Sequence, residues 1–275
     1  MEPFVPNKLT SILPKSIDDF PGGIVIPVDK PYRWTSADVI RKVKYAACRH
    51  FGKKNLKVGH AGTLDPLATG VLLVCIGNAT KLAEEFQRHD KEYVAGITLG
   101  ATTPSFDLEK DIDSRFPFEH ITKAAVEDAL GGFLGEQDQV APLFSAKSID
   151  GVRAYEMARK AFKAGLPIPD DIIRASRIVI SECELLSFES LPERNEIISD
   201  ASPASCRINV AEDDFALPHC KIRIACSKGT YIRAFARDLG ETLSSGAFLN
   251  SLCRTKTGAF KIEDSLTIDE ALKLF

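Results

Sequence analysis

The pattern of apolar and polar positions along the chain predicts strands and helices in mixed order. Runs rich in β-branched residues predict strands, and apolar residues spaced by three or four positions predict amphipathic helices. The first strand is GIVIPVDKP, and a helix follows from about Ala37 to His50 with Ser36 as its cap. The other predicted strands are VLLVCIG, KEYVAGITLG, RIVISECELLSFE and KIRIACSK; the other predicted helices are ATKLAEEFQRH capped by Asn78, KAAVEDALGGF after Thr122, AYEMARKAFKAG, Thr230 to Leu243, and IDEALKLF with Thr267 and Glu270 as a capping box.

These elements do not repeat as strict β-α-β units. The mixed order favours an α+β domain in which helices flank a mixed, mostly antiparallel sheet. Prolines interrupt residues 1–22, which we expect to be an N-terminal extension before a domain that covers 23–275. Residues 189–218 are polar and rich in loop formers, which predicts an insertion or a long hairpin.

Composition excludes several classes of protein. Hydrophobic residues make up 44% of the chain and charged residues 27%, which is typical of a globular protein. No apolar run reaches the roughly 18 residues of a membrane span, and no signal peptide begins the chain, so we expect a cytoplasmic protein. Seven cysteines without CxxC spacing, and histidines without an HExxH pattern, indicate neither a disulfide framework nor a metal site.

Charge is distributed unevenly along a chain whose net charge is −3. Arg41–Lys57 contains seven basic residues and no acid, and Lys221–Lys261 contains eight basic residues and two acids. Such stretches either bind the phosphates of a nucleic acid or form solvated surfaces, and charge alone does not separate these interpretations.

The most unusual segment is the glycine-rich stretch GHAGTLDPLATG, from Gly59 to Gly70. Pro66 fixes its own backbone and keeps Asp65 out of the helical region, so this aspartate is held on stiff backbone before a buried strand. A reactive carboxylate would be presented in this way. The plainer alternative is that Asp65 caps a turn, and the residues alone favour that alternative.

Four segments together identify a resemblance to a known family. GHAGTLDPLATGVLLVCIGNATK resembles the motif GHxGxLDPxAxGxLxxxxGxATK of the TruB-type tRNA pseudouridine-55 synthases. DKPYRWTSADVIRKVK, DKEYVAGITLGATTPSFD and SKGTYIRAFARDLGETL match in the expected order, so the resemblance covers about Gly23 to Phe275. It implies the pseudouridine synthase fold over 23–275. Arg33 stands where many members have glycine, and the sequence shows no C-terminal PUA domain.

The resemblance also implies roles for individual residues, each with a structural alternative. Asp65 would be the nucleophile, Arg233 its ion-pair partner, and Tyr93 the ring beside the uracil. The alternatives are a turn residue, a phosphate or surface contact, and a core tyrosine. The substrate-binding residues would be His60, Leu252, Tyr231 and Lys30, the last in a supporting role. The basic stretches Arg41–Lys57 and Lys221–Lys261 would contact the phosphates of such an RNA, with Lys53, Lys54 and Lys57 as the expected RNA-binding residues.

The implied reaction isomerises uridine 55 in the T-loop of tRNA after the base has flipped out of its stack. It requires no cofactor and no metal, and we expect a monomer that binds the T-arm without a protein or membrane partner. Three other functions compete with this one. A non-catalytic RNA-binding protein would lack Asp65 or Arg233, a dyskerin-type subunit of a guide-RNA particle would need the PUA domain and basic tails, and a glycosidase would need an evident pair of carboxylates.

Overall fold

The β-branched segments form a mixed sheet flanked by helices, which confirms the predicted α+β class. The computed structural model describes residues 1–142, 175–191 and 210–275, together with the backbone of 148–149 and 152–153. The predicted helix AYEMARKAFKAG and residues 192–209 of the predicted insertion lie outside the described residues. The proposed boundaries of the extension and the insertion therefore stay predictions.

Helices and strands have the following bounds. The helices are α1 (Ser36–His50), α2 (Ala83–Arg88), α3 (Lys123–Gly131), α4 (Ile232–Thr242) and α5 (Ile268–Lys273), with 3-10 helices at Ile17–Asp19, Gly77–Leu82 and Ile262–Asp264. The strands are β1 (Ile24–Lys30), β2 (Val58–Ala61), β3 (Ala68–Ile76), β4 (Lys91–Leu99), β5 (Ala101–Thr102), β6 (Ser114–Arg115), β7 (Gly135–Gln139), β8 (Ser148–Ile149), β9 (Val152–Arg153), β10 (Ser176–Glu189), β11 (His219–Cys226), β12 (Ala247–Thr257) and β13 (Phe260–Lys261).

The described residues divide into two units. The terminal unit contains Met1–Val94 and Leu252–Phe275, and the central unit contains the described residues from Ala95 to Ser251.

In the terminal unit, β3 is the central strand. It pairs antiparallel with β1 and β2, and the end of β12 runs parallel to it. All of β3 except Thr69 is buried, as its apolar sequence predicted. Side chains from β1, β2 and β3 form a core with Phe86 of α2, and this core supports the hairpin that joins β2 to β3.

In the central unit, the strand order is β12, β4, β11, β10 and β7. β10 pairs antiparallel with both β11 and β7. Helix α3 packs on β10. The ring centres of Phe133 and Phe235 lie 4.8 Å apart in the core beside α3. Phe235 belongs to α4, so this contact anchors the helix that also carries Arg233.

Two predicted caps were wrong. Thr35 caps α1, because its side chain accepts a hydrogen bond from Asp38 N and Asp38 completes a capping box. Asn78 donates to the Pro21 carbonyl instead of capping, and a 3-10 helix replaces the first turns of the predicted second helix. The predicted caps Thr122 and Thr267 were confirmed. No helix in the described part of the chain is long and apolar enough to cross a membrane.

Candidate active site

Asp65 lies on the connection between β2 and β3. The two strands are antiparallel, with Ala61 opposite Leu73, so residues 62–67 form the turn of a hairpin. Ala68 N donates to the Asp65 carbonyl at 3.1 Å and closes this turn around Pro66. The Asp65 side chain is half-buried. The hairpin thus presents a carboxylate just before a strand that is buried except at Thr69.

Ser36 fixes the residue that precedes Asp65. Its hydroxyl donates to the Leu64 carbonyl at 3.1 Å and accepts from Leu64 N at 2.9 Å. Ser36 is only 3% exposed, so both hydrogen bonds are shielded from water. The sequence predicted a helix cap here. The structure instead makes Ser36 the residue that holds both backbone groups of Leu64.

Lys30 supports the other side of Asp65. It is fully buried, and its ammonium group donates to the carbonyls of Pro31, Trp34 and Pro66 at 2.9, 2.6 and 3.1 Å. Burial lowers the pKa of Lys30 to about 7, and the charge of Asp65 is the largest influence in the opposite direction. This geometry suits the supporting role that the resemblance implied.

Arg254 holds the start of the same loop and the strand that follows it, and it was missed by the sequence reasoning as a site residue. It is 2% exposed, and it donates to the carbonyls of Val71 and Gly62 at 2.8 and 3.0 Å. Within the described ranges it forms no ion pair. Its backbone approaches Gly70 so closely that a Cβ there would lie 2.2 Å from the Arg254 carbonyl oxygen. Glycine at position 70, where φ is +100°, therefore permits β12 to lie beside the loop.

Three more predicted residues belong to the terminal unit. His60 lies half-buried on β2, and burial, together with the charge of Arg254, lowers the pKa of its imidazole. Both effects favour the neutral form of the ring. Tyr93 is 8% exposed on β4. Leu252 pairs with Ala68 across the parallel strands, and its carbonyl accepts from Thr69 Oγ1 at 3.4 Å.

Arg233 has a buried acidic partner within the central unit. Its Nε lies 3.6 Å from Asp107 Oδ2, and its Nη1 donates to the Ser105 carbonyl at 3.2 Å. Asp107 is itself fixed, because its Oδ1 accepts from Ser105 Oγ at 2.6 Å and from Glu109 N at 2.9 Å. The sequence reasoning missed Asp107. Its only signal was its position in the matching segment DKEYVAGITLGATTPSFD.

Tyr231 is held through its backbone, whose N–H and carbonyl both bond to the side chain of Gln139. Its predicted role in the base pocket stays a prediction. Asp65 belongs to the terminal unit and Arg233 to the central unit, so their pairing also stays a prediction.

Lys53, Lys54 and Lys57 are exposed, and Lys53 pairs with Asp18 at 3.0 Å. In the described part of the chain no group of His, Cys, Asp and Glu could hold a metal ion.

The sequence model of the family described as TruB family pseudouridylate synthase (N-terminal domain) matches residues 49–232. The chain belongs to this family. A tRNA pseudouridine synthase B of Phocaeicola vulgatus is 49% identical over 251 residues, which cover 91% of this chain and 92% of that protein. A protein of the same name from Bacteroides thetaiotaomicron is 50% identical over 248 residues, which cover 90% and 91%.

Solved structures share the fold of this TruB family member. A chain of a Cbf5-Nop10-Gar1 complex matches with a TM-score of 0.57 and 25% identity, over 90% of this chain and 54% of that chain. A chain of an H/ACA RNP bound to a substrate RNA matches with a TM-score of 0.56 and 23% identity, over 90% and 51%. The TruB family member thus spans about half the length of these chains. With the family assignment, these matches confirm the predicted pseudouridine synthase fold.

Proposed function

We propose that this protein converts uridine to pseudouridine at position 55, in the T-loop of tRNA. The observation that carries the proposal is that the backbone on both sides of Asp65 is held in place by hydrogen bonds. Three buried polar side chains fix the backbone of its loop, Ser36 at Leu64, Lys30 at Pro66 and Arg254 at Gly62. Membership of the pseudouridylate synthase family, and the near full-length match to relatives named tRNA pseudouridine synthase B, support the activity and the substrate.

The reaction is an isomerisation. The N1–C1′ bond of the uridine breaks, the uracil turns, and a C5–C1′ bond forms; C5 then loses its proton and N1 gains one. The atoms balance without an oxidant, a reductant or a cofactor. Asp65 attacks C1′ as the N1–C1′ bond breaks, and the C1′–O bond that it forms breaks when C5 bonds to C1′, which returns the free carboxylate. The uridine must first leave its stack, because an intact T-loop would keep its C1′ away from a half-buried carboxylate.

The other predicted residues serve this step. Tyr93 lies beside the uracil and assists the proton transfer from C5. Arg233, held by Asp107, pairs with Asp65 and orients it. His60, Leu252 and Tyr231 surround the flipped base. His60 does so as a neutral ring, which adds no charge next to the uracil.

Binding of the T-arm uses phosphate contacts from Lys53, Lys54 and Lys57, whose side chains are exposed. The enzyme acts as a monomer, without a protein partner. A role as a subunit of a guide-RNA complex is less well supported, because the relatives with 49–50% identity match over almost their whole length and carry the name of a tRNA enzyme.

The test is Asp65→Asn, which keeps the shape of the side chain but removes its anionic oxygen. The measurement is tritium release from tRNA labelled at C5 of uridine, with tRNA binding measured separately. We expect the rate to fall by about a thousandfold or more, with affinity nearly unchanged. The matched control is Asp269→Asn, which changes an exposed aspartate on α5 and should leave both quantities unchanged. A rate within about tenfold of wild type would exclude Asp65 as the nucleophile.

A further inference from the structure

A groove of about 830 Å³ lies along α1 in the terminal unit, and the loop that carries Asp65 is not part of its described lining. Its volume falls within the range of roughly 300–1,000 Å³ that is usual for ligand sites. One side is formed by α1 and Trp34, and the other by α5 and Lys15. The function proposed above leaves this groove without a role.

The groove is strongly basic. Lys15, Arg41, Lys42 and Arg49 line it, and the acidic side chain in the lining is Asp38. Asp38 already pairs with Arg41 at 2.9 Å and accepts hydrogen bonds from Thr35 within the capping box of α1. Among the described residues, Lys42 and Arg49 have no acidic partner. A site with this charge favours an anion, and it gains most from one that carries several charges.

Aromatic rings accompany these cations. Tyr45 is 66% exposed, and the guanidinium of Arg49 lies 5.6 Å from the centre of its ring. The ammonium of Lys42 lies 5.7 Å from the ring of Trp34, which is buried. The indole N–H of Trp34 has no acceptor among the described residues.

We propose that the groove binds a single-stranded segment of RNA, with phosphates on Lys42 and Arg49 and one unpaired base stacked on Tyr45. Nucleotides combine a π-face with a charged backbone, and proteins that hold single strands use aromatic rings together with basic side chains. An acidic peptide would satisfy the cations but would leave the exposed ring of Tyr45 unused. The identification of this RNA as part of the tRNA substrate rests on the proposed function.

The test measures binding of a fluorescein-labelled oligoadenylate of about eight nucleotides to the full chain, by anisotropy at several salt concentrations. This probe contains no uridine, so its binding does not depend on the isomerisation. Tyr45→Ala should raise Kd about fivefold or more without changing the salt dependence, and Tyr45→Phe should bind like wild type. Arg49→Gln should reduce the slope of log Kd against log salt by roughly 0.7, the value for one phosphate contact on a single strand.

The matched control is Arg88→Gln, which removes an exposed arginine of α2 outside the groove lining and should leave both Kd and the slope unchanged. An unchanged Kd in Tyr45→Ala, or an equal loss of slope in Arg88→Gln and Arg49→Gln, would overturn the proposal. Tighter and Tyr45-dependent binding of polyglutamate would assign the groove to an acidic protein instead.

Tritium release from whole tRNA separates this proposal from the proposed function. Tyr45→Ala and Arg49→Gln should raise KM and leave kcat unchanged. If wild type releases no tritium while the oligoadenylate still binds through Tyr45, the proposed function is wrong and the assignment of the groove to single-stranded RNA is retained. If wild type is active and the groove variants bind and turn over as wild type does, the groove assignment fails alone.

Discussion

Replacement of Ser36 by alanine removes one oxygen atom at the point where α1 holds the loop of Asp65. The hydroxyl bonds to both the carbonyl and the N–H of Leu64, at 3.1 and 2.9 Å, and Ser36 is 3% exposed. Alanine fits the first turn of a helix, and Thr35 continues to cap α1. The substitution therefore tests the connection to the loop and leaves the helix itself intact.

The size of the effect follows from the two Leu64 groups that lose their partner. A buried polar group left without a hydrogen bond costs about 1–3 kcal/mol. Partial relaxation of the loop reduces the combined loss, so we expect a destabilisation of about 2–4 kcal/mol. That is less than the free energy of unfolding of a typical domain, roughly 5–15 kcal/mol, so the variant should stay folded. A displaced Asp65 loop should lower kcat by about tenfold to a hundredfold, because catalysis depends on positioning within about 1 Å.

The measurement combines urea unfolding with steady-state tritium release from tRNA. The control is Ser265→Ala, which also removes a hydroxyl that is 3% exposed and bonded to a carbonyl, that of Lys261 at 2.9 Å. Both variants should lose stability, but only Ser36→Ala should lose kcat, with KM nearly constant. If Ser36→Ala is destabilised and keeps the kcat of wild type, the contact serves folding alone and the positioning argument is wrong.

Two further predictions concern the charged groups of the site. Arg233→Lys keeps the charge but loses the planar fork of the guanidinium, and we expect its single-turnover rate to fall by more than about tenfold. The control Arg115→Lys changes an exposed arginine and should match wild type. Rates near wild type in both variants would refute the role of Arg233. The pKa of Lys30 is lowered to about 7 from an ordinary 10.5, so between these values the folded protein binds fewer protons than the unfolded chain. The free energy of unfolding of wild type, relative to that of Lys30→Met, should therefore rise with pH from about 7 to about 10.5 and be constant below pH 7. Urea unfolding at several pH values measures this difference. A difference that does not change with pH would contradict the lowered pKa of Lys30.

The sequence predicted the elements whose composition is uniform. β1 and β4 are rich in β-branched residues and were found within a residue or two of their expected bounds, whereas β3 begins three residues before the predicted Val71. β12 was missed because its sequence, AFLNSLCRTKT, mixes buried and exposed positions without regular alternation. β2 was missed because glycine and histidine in VGHA indicated a loop. In both strands, pairing with β3 overrides the weak local preference.

The loop of Asp65 was predicted from a local motif, whereas its supports were not. Ser36 and Leu64 are 28 positions apart, and Arg254 and Gly62 are 192 positions apart. Contacts of this kind depend on the register of strands and on the position of α1, which local patterns do not encode. The pair of Arg233 and Asp107 is another case, because an arginine on α4 reaches an aspartate on a loop far away in the chain.

The supports of this loop are polar and buried, which is a costly way to hold a backbone. Lys30 and Arg254 are both withdrawn from water, and within the described ranges the bonds of Arg254 go only to carbonyl oxygens. Apolar side chains of similar volume would avoid this desolvation, but they would contact the loop without fixing the direction of its peptide groups. Hydrogen bonds to Gly62 and Pro66 fix that direction on both sides of Asp65. The charge of Asp65 opposes the effect of burial on the pKa of Lys30, so the carboxylate also interacts electrostatically with one of these supports. The desolvation of these two side chains is thus accompanied by a fixed direction of the peptide groups on both sides of Asp65, which packing alone would not provide.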